Sequence, residues 1–230
     1  MYMCERLKDI YKKITQDTKI KELYKKVDEC NNNMWAFHGL QHVNNVDKMV
    51  EKVLKKLNCS SEQIYKAKIC AYLHDIGAVN GKDGHAKKSA EFCREYFNNF
   101  NLTQAEKDEM IFAIENHGNY IQNSGLLHAV LIFSDKLDID KTRISQSGYK
   151  IDGMKEMQWI NKVFVDINDK LIINFECHKN FNKQEFEDYY FCQKVFDSIN
   201  SFSNIIGKKQ HITLNGKQWD YKRRRNNNEF

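Results

Sequence analysis

The chain has 230 residues, 41% hydrophobic and 29% charged, which excludes a disordered polyelectrolyte and suits one large domain, or one domain with an appended element. Of the formal net charge of +5, most resides in residues 217–230, where Lys217, Lys222, Arg223, Arg224 and Arg225 are offset only by Asp220 and Glu229. The nearly neutral body therefore lacks the basic stripe of a nucleic-acid-binding domain.

Seven scattered cysteines without a C-x-x-C pair fit neither a disulfide framework nor a zinc finger and predict reduced thiols. The opening MYMCERLKD lacks the apolar core of a signal peptide, and no apolar run approaches the roughly 18 to 20 residues of a membrane span. A cytoplasmic protein with no membrane contact is expected. No feature of the sequence specifies an oligomer.

In chain order, residues 5–30 read as one Lys- and Glu-rich helix ending at Asn31-Asn32-Asn33. Proline is absent, so no helix is broken by it. A second helix starts near His42, with Val43, Val46, Val50, Val53 and Leu57 at helical spacing. Ser60-Ser61-Glu62 offers N-cap chemistry for a third that runs to Leu73, with Gly77 as its terminator. Further helices are predicted over residues 86–97, from Thr103 (which forms a capping box with Glu106) to His117, and over 126–138.

After Gly153 the period changes. Val163, Val165 and Ile167 alternate, Asn168-Asp169 turns, and Leu171, Ile173 and Phe175 alternate again, as in a hairpin. A helix over 183–200 and a strand over 211–214 follow. The expected fold is mainly α, a helical bundle with a small C-terminal antiparallel β element (hairpin plus helix). The expected divisions are a helical domain over 1–145, an α+β extension over 146–216 and a basic, flexible tail over 217–230.

His74-Asp75, in Ala71-Tyr-Leu-His-Asp-Ile-Gly77, sets an imidazole and a carboxylate side by side at the end of an apolar helix. His42, His85, His117 and Asp135 each head or join an apolar stripe on a different helix: His42 with Val46, Met49 and Val53, His117 with Ile114 and Met110, and His85 with Ser89, Phe92 and Tyr96. His128, Leu131 and Asp135 share one face. Any one inward histidine serves equally well as a hydrogen-bonded core residue, and Asp135 alone could pair with Lys136. Together around an adjacent His-Asp pair they point to a site of nitrogen and oxygen ligands for a hard or borderline divalent metal, which removes the cost of burying them unpaired. His38, His178 and His211 lack such company and are read as ordinary histidines.

The order His42, His74-Asp75, Asp135 resembles the H…HD…D signature of the HD-domain metal-dependent phosphohydrolase superfamily. The similarity covers about residues 38–140, with local agreement at Gln41-His-Val-Asn-Asn-Val46, Leu73-His-Asp-Ile-Gly77, His85-Ala-Lys-Lys-Ser-Ala-Glu91, Ala113-Ile-Glu-Asn-His117 and Ser134-Asp-Lys-Leu137. The resemblance implies a first metal on His42, His74, Asp75 and Asp135, and a second bridged by Asp75 and held by His85 and His117. Many dinuclear relatives carry a His-His doublet where this chain has His117-Gly118, so His128 is a further candidate, either as a ligand or as the partner of one. The lysine often found after the His-Asp-hydrophobic-Gly run is replaced here by Ala78, and Lys82 could supply its charge.

The implied activity is hydrolysis of a phosphoester, as a phosphomonoesterase or phosphodiesterase, of a nucleotide-like small molecule. One or two divalent ions (Mn, Fe, Co, Ni or Mg) would lower the pKa of bound water to give hydroxide, and two ions would sit roughly 3.5 to 4 Å apart. Asp75 is then the central catalytic residue, and Lys82 and Lys136 are candidates for phosphate contact. Tyr120, Tyr149 and Trp159 are candidates to stack on a base or to fill the core. Two other classes stay open: a di-iron oxygenase of the same superfamily, and a non-catalytic nucleotide- or nucleic-acid-binding module using the basic tail as an arm.

Overall fold

A computed structural model describes residues 2–30, 34–119 and 124–221, with the side chains of residues 2–5 left out. Helices α1 (Tyr2–Gln16) and α2 (Thr18–Cys30) replace the single helix expected over 5–30. The break falls at Asp17, whose Oδ1 accepts the Lys19 amide at 2.8 Å while its Oδ2 accepts the Tyr96 hydroxyl at 2.6 Å. A side chain that caps a new helix competes with continuing the old one.

Helix α3 (Leu40–Lys56) buries His42, Val43, Val46, Val50 and Val53 on one face, the stripe read from the sequence. Helix α4 (Ser61–Leu73) starts in a capping box between Ser60 and Gln63 and ends at His74. A short 3-10 turn, Ile76–Asn80, follows. Gly77 serves close packing there rather than helix termination: an added Cβ would meet the His85 carbonyl oxygen and the Ser89 amide at 2.5 Å. Its own N–H donates to Ser89 Oγ at 2.9 Å, fixing the turn against helix α5 (His85–Tyr96). Helix α6 (Gln104–Glu115) opens on the predicted Thr103–Glu106 capping box, and α7 (Gly125–Lys136) is buried from Leu127 to Lys136.

Strands β1 (Ile160–Ile167) and β2 (Leu171–Cys177) form the expected antiparallel hairpin. Helices α8 (Lys183–Asp188) and α9 (Tyr190–Ile206) then carry the chain to β3 (Gln210–Leu214), which pairs with β2 in parallel. The expected all-antiparallel element is therefore a mixed sheet, because a helical crossover returns the chain in its original direction. A short β4 (Lys217–Gln218) pairs antiparallel with β3. Trp219 is buried beside Phe175 and Phe196, with its ring nitrogen donating to Glu187 at 2.7 Å. The first residues of the expected tail thus pack as part of the sheet, while residues 222–230 lie outside the described residues.

The two parts share a core. Helix α9 lies on α7, with Phe133 and Phe202 stacked at 4.4 Å. The segment before α3 is stitched to the one after α7 by an Ala36–Ile144 bridge, with Phe37 N–H donating to the Arg143 carbonyl at 2.9 Å and Ser145 N–H to that of Trp35 at 3.0 Å. Among the described residues, no helix is long and apolar enough to cross a membrane.

Candidate metal centre

Six residues nominated from the sequence converge. His42 comes from the first turn of α3, His74 and Asp75 from the end of α4, His85 from the start of α5, His117 from just beyond α6 and Asp135 from the last turn of α7. Around Asp75 Oδ2 lie the Nε2 atoms of His42 at 3.3 Å and His74 at 3.4 Å. Asp135 Oδ1 joins that set, 3.1 Å from His42 Nε2. Around Asp75 Oδ1 lie the Nε2 atoms of His85 at 3.1 Å and His117 at 3.3 Å. The carboxylate thus divides its two oxygens between two sets of imidazoles.

The hydrogen bonds on the far side of each ring define the site chemically. His74, His85 and His117 place Nδ1 on the carbonyls of Ala71, Lys82 and Ile114 at 2.8, 2.6 and 2.7 Å. A carbonyl only accepts, so Nδ1 carries the hydrogen and a neutral ring turns the bare Nε2 lone pair inward. Neutral rings so oriented set lone pair against lone pair at 3.2 Å (His42–His74) and 3.0 Å (His85–His117), a contact that a shared proton or a cation between them relieves. Both oxygens of Asp75 are buried and accept no hydrogen bond among the described residues. Orphaned buried acceptors ringed by inward imidazole nitrogens are the donor set of a divalent metal, and the residues fit that group.

The two carboxylates are held ionised, while the imidazoles divide between groups pushed down and groups pushed up. Burial pushes the Asp75 carboxyl up, but the surrounding His74, His38, His117 and His42 outweigh it and hold Asp75 well below the ordinary carboxylate range. Asp135 is likewise held low, burial being overcome by Lys136, His42 and His74. Burial draws His117 down to about 4, which keeps its ring neutral. Burial and Arg143 oppose protonation of His42, but Asp135, Asp138 and Asp75 prevail and raise it to about 10.

Three residues beyond those nominated from the sequence serve the centre. His38 is buried, anchors Nδ1 on the Ala36 carbonyl at 2.8 Å, and lies with Asp75 and His85 in a group that could hold an ion. The sequence reads it as an ordinary histidine, and its place beside Asp75 makes it a further candidate donor. Helix α3 begins only at Leu40, so no helical periodicity ties His38 to His42. Asp138 accepts His42 Nδ1 at 2.6 Å and the Asn45 side-chain amide at 3.0 Å, orienting the ring as carboxylates do for metal-binding histidines. Asp138 stands three residues after Asp135 and Asn45 three after His42, spacings that would have found both.

His128 stands apart. Its Nδ1 meets Ser124 Oγ, its Nε2 meets the Asn116 carbonyl at 3.1 Å, and its ring lies against Phe112. Both nitrogens are engaged, and the shared face with Asp135 does not bring it to the centre.

Above the centre opens a cavity of about 690 Å³. Lys82, Lys136, Arg143 and Lys194 line it, so both lysines expected to contact phosphate reach its wall. Lys136 also binds Asp135 Oδ2. Trp35, Tyr189, Tyr190 and Phe191 line it too, with the Lys136 and Lys194 ammonium groups 6.0 Å from the ring centroids of Phe191 and Tyr190 respectively. Of the aromatics nominated from the sequence, Trp159 stacks on His178 at 5.1 Å, Tyr149 is exposed and is absent from the cavity lining, and Tyr120 lies outside the described residues.

Fold and site together define a helical protein whose candidate metal centre sits at the meeting of five helix ends. The HD domain family matches residues 39–171, more than half of the chain. The chain belongs to the HD domain family. A crystal structure described as a predicted HD superfamily hydrolase, from an uncultured Thermotogales bacterium, is 19% identical and covers 57% of this chain and 80% of its own, with a TM-score of 0.43. A search of curated proteins found no match.

Proposed function

We propose that the protein is a metal-dependent phosphohydrolase that cleaves a phosphoester of a nucleotide-like substrate. The observation that carries this reading is the Asp75 carboxylate, its two orphaned oxygens turned to two sets of imidazole nitrogens at the floor of a cavity rimmed by cations. His42, His74, Asp75 and Asp135 would hold one divalent ion. Asp75, His85 and His117 would hold a second, with His38 as a further donor. Bound there, such ions supply Lewis acidity toward phosphoryl oxygens and acidify water near neutral pH.

The chain's own groups account for the rest. Lys136 satisfies the Asp135 oxygen turned away from His42 and adds positive charge beside the reacting phosphoryl. Asp138 and the backbone carbonyls hold the rings in register. The aromatic lining presents flat faces on which a base can stack. Six described cysteines without disulfides suit a reducing compartment, and we place the enzyme in the cytoplasm.

The test is the purified full chain loaded in turn with Mn, Fe, Co, Ni or Mg and offered nucleotides and generic phosphoesters, with metal content measured alongside. If no loaded form cleaves any of them while Asp75→Ala keeps its metal, the assignment fails. Dioxygen consumption by the reduced iron form without hydrolysis would mark an oxygenase instead.

A further inference from the structure

Arg143 belongs to none of the motifs that mark the centre, yet it is the most conspicuous unspent donor beside it. Its side chain is only 9% exposed and lines the cavity. The nearest carboxylates stand off, Asp135 Oδ1 at 3.9 Å from Nη2 and Asp138 Oδ2 at 4.0 Å from Nε, beyond hydrogen-bond reach. Nη1 is buried and finds no acceptor among the described residues. A guanidinium keeps its charge and offers five donors, and leaving those of the buried Nη1 unmet is costly.

The backbone explains how the group is held without those bonds. The Arg143 N–H donates to the Asp140 carbonyl at 2.9 Å, and its carbonyl accepts Phe37 N–H at 2.9 Å. The side chain is thus placed by the strand-like seam between residues 34–38 and 142–145. Two acceptors that might have met it are committed elsewhere. Asp135 faces His42 and Lys136, and Asp138 faces His42 and Asn45.

A second cation reaches the same cavity from the C-terminal part. Lys194 is on α9, past the end of the family match at residue 171. Burial, then Lys136 and Lys82, push its ammonium below the ordinary lysine range, and all three cations line the same cavity. Like charges drawn into one enclosed space are relieved by an anion.

We propose that Arg143 and Lys194 form an anion subsite beside the metal centre, which takes the non-reacting oxygens of the substrate's phosphoryl group. Arg143 would present two parallel N–H donors to two oxygens, and Lys194 would add a point charge from α9. The inference rests on the phosphohydrolase reading. It adds a binding role for a residue outside the metal-ligand motifs and makes α9, outside the matched family region, part of the site.

The experiment titrates inorganic phosphate into the metal-loaded full chain by calorimetry, with metal content measured on every sample, for wild type, Arg143→Gln, Arg143→Lys and Lys194→Gln. Loss of a charge-assisted pair predicts roughly 10- to 100-fold weaker phosphate binding for Arg143→Gln. Arg143→Lys should be intermediate and Lys194→Gln weakened by about threefold or more, all at unchanged metal content. Wild type that binds no phosphate, or Arg143→Gln with wild-type phosphate affinity, overturns the subsite. So does a loss that follows metal content, because that marks Arg143 as a support for Asp135 and Asp138 alone. Arg143-dependent phosphate binding without hydrolysis of any phosphoester leaves the subsite standing and removes the hydrolase reading. Hydrolysis with a KM indifferent to Arg143 does the reverse.

Discussion

Helices α3 and α4 carry two buried charge clusters about one and a half turns apart, and only one of them is a site. At the inner cluster, Lys68 binds Asp47 at 2.8 Å and also Glu51, Tyr11 OH donates to Asp47 at 3.0 Å, and the Lys68 ammonium lies 4.8 Å from the Tyr11 ring centroid. Positive meets negative, and only Asp47 Oδ1 lacks a partner. At the helix ends, His42, His74, Asp75 and Asp135 set lone pairs and carboxylate oxygens against one another. Burial alone does not separate structural from functional polarity. A cluster that closes its own charge and hydrogen bonding stabilises the fold. One whose acceptors point inward without a cation, under an open cavity, is built to receive something.

Breaking each cluster should give opposite signatures. The largest effect belongs to Asp75→Ala, which removes the carboxylate whose two oxygens face the two sets of imidazoles. Activity should fall by more than the ~100-fold reached when a ligand's outer partner is lost, with metal content reduced on both sets; plasma emission spectroscopy and steady-state kinetics read both. In contrast, Lys68→Ala leaves Asp47 buried and uncompensated and should cost about 3–5 kcal/mol in urea unfolding. Its folded fraction should keep full metal content, and if it does not, the two clusters are coupled.

Metal removal sharpens the contrast. An ion at 100 times its dissociation constant adds about 2.7 kcal/mol to stability, so a chelator should lower the melting temperature of wild type but leave that of Asp75→Ala unmoved. A smaller change is expected from Asp138→Asn, which keeps the shape of the His42 partner but removes its charge. It should weaken the metal by roughly 10- to 100-fold with little change in the melting curve of the metal-free protein. Smallest is His128→Ala, which unpairs Ser124 and Asn116 for about 0.5–1.5 kcal/mol without altering metal stoichiometry. Loss of an ion in that variant would return His128 to the centre.

Much of this was legible in the chain. The apolar stripes of α3 and α7 put His42 and Asp135 inward, since helical geometry alone aligns residues three and four apart. The β1–β2 hairpin followed from alternation in the same way. His128 misled because a shared helix face says where a side chain projects and not which neighbour it meets there. Asp17 misled because a side-chain cap can interrupt a periodic helical pattern.

By itself, then, the sequence determined most of the helical framework and the six residues that converge in the candidate centre, which rest on local spacing and on the adjacency of His74 and Asp75. The tertiary structure alone decided the rest. It turned the two Asp75 oxygens toward different imidazole sets and brought in His38 from outside any helix. It ran β3 parallel to β2 and set Arg143 and Lys194 on one cavity. The physical reason is that these are relations between segments distant in the chain. Periodicity reports the face a residue occupies on its own element, whereas the partner, strand direction and unmet donors of that face emerge only when the elements pack.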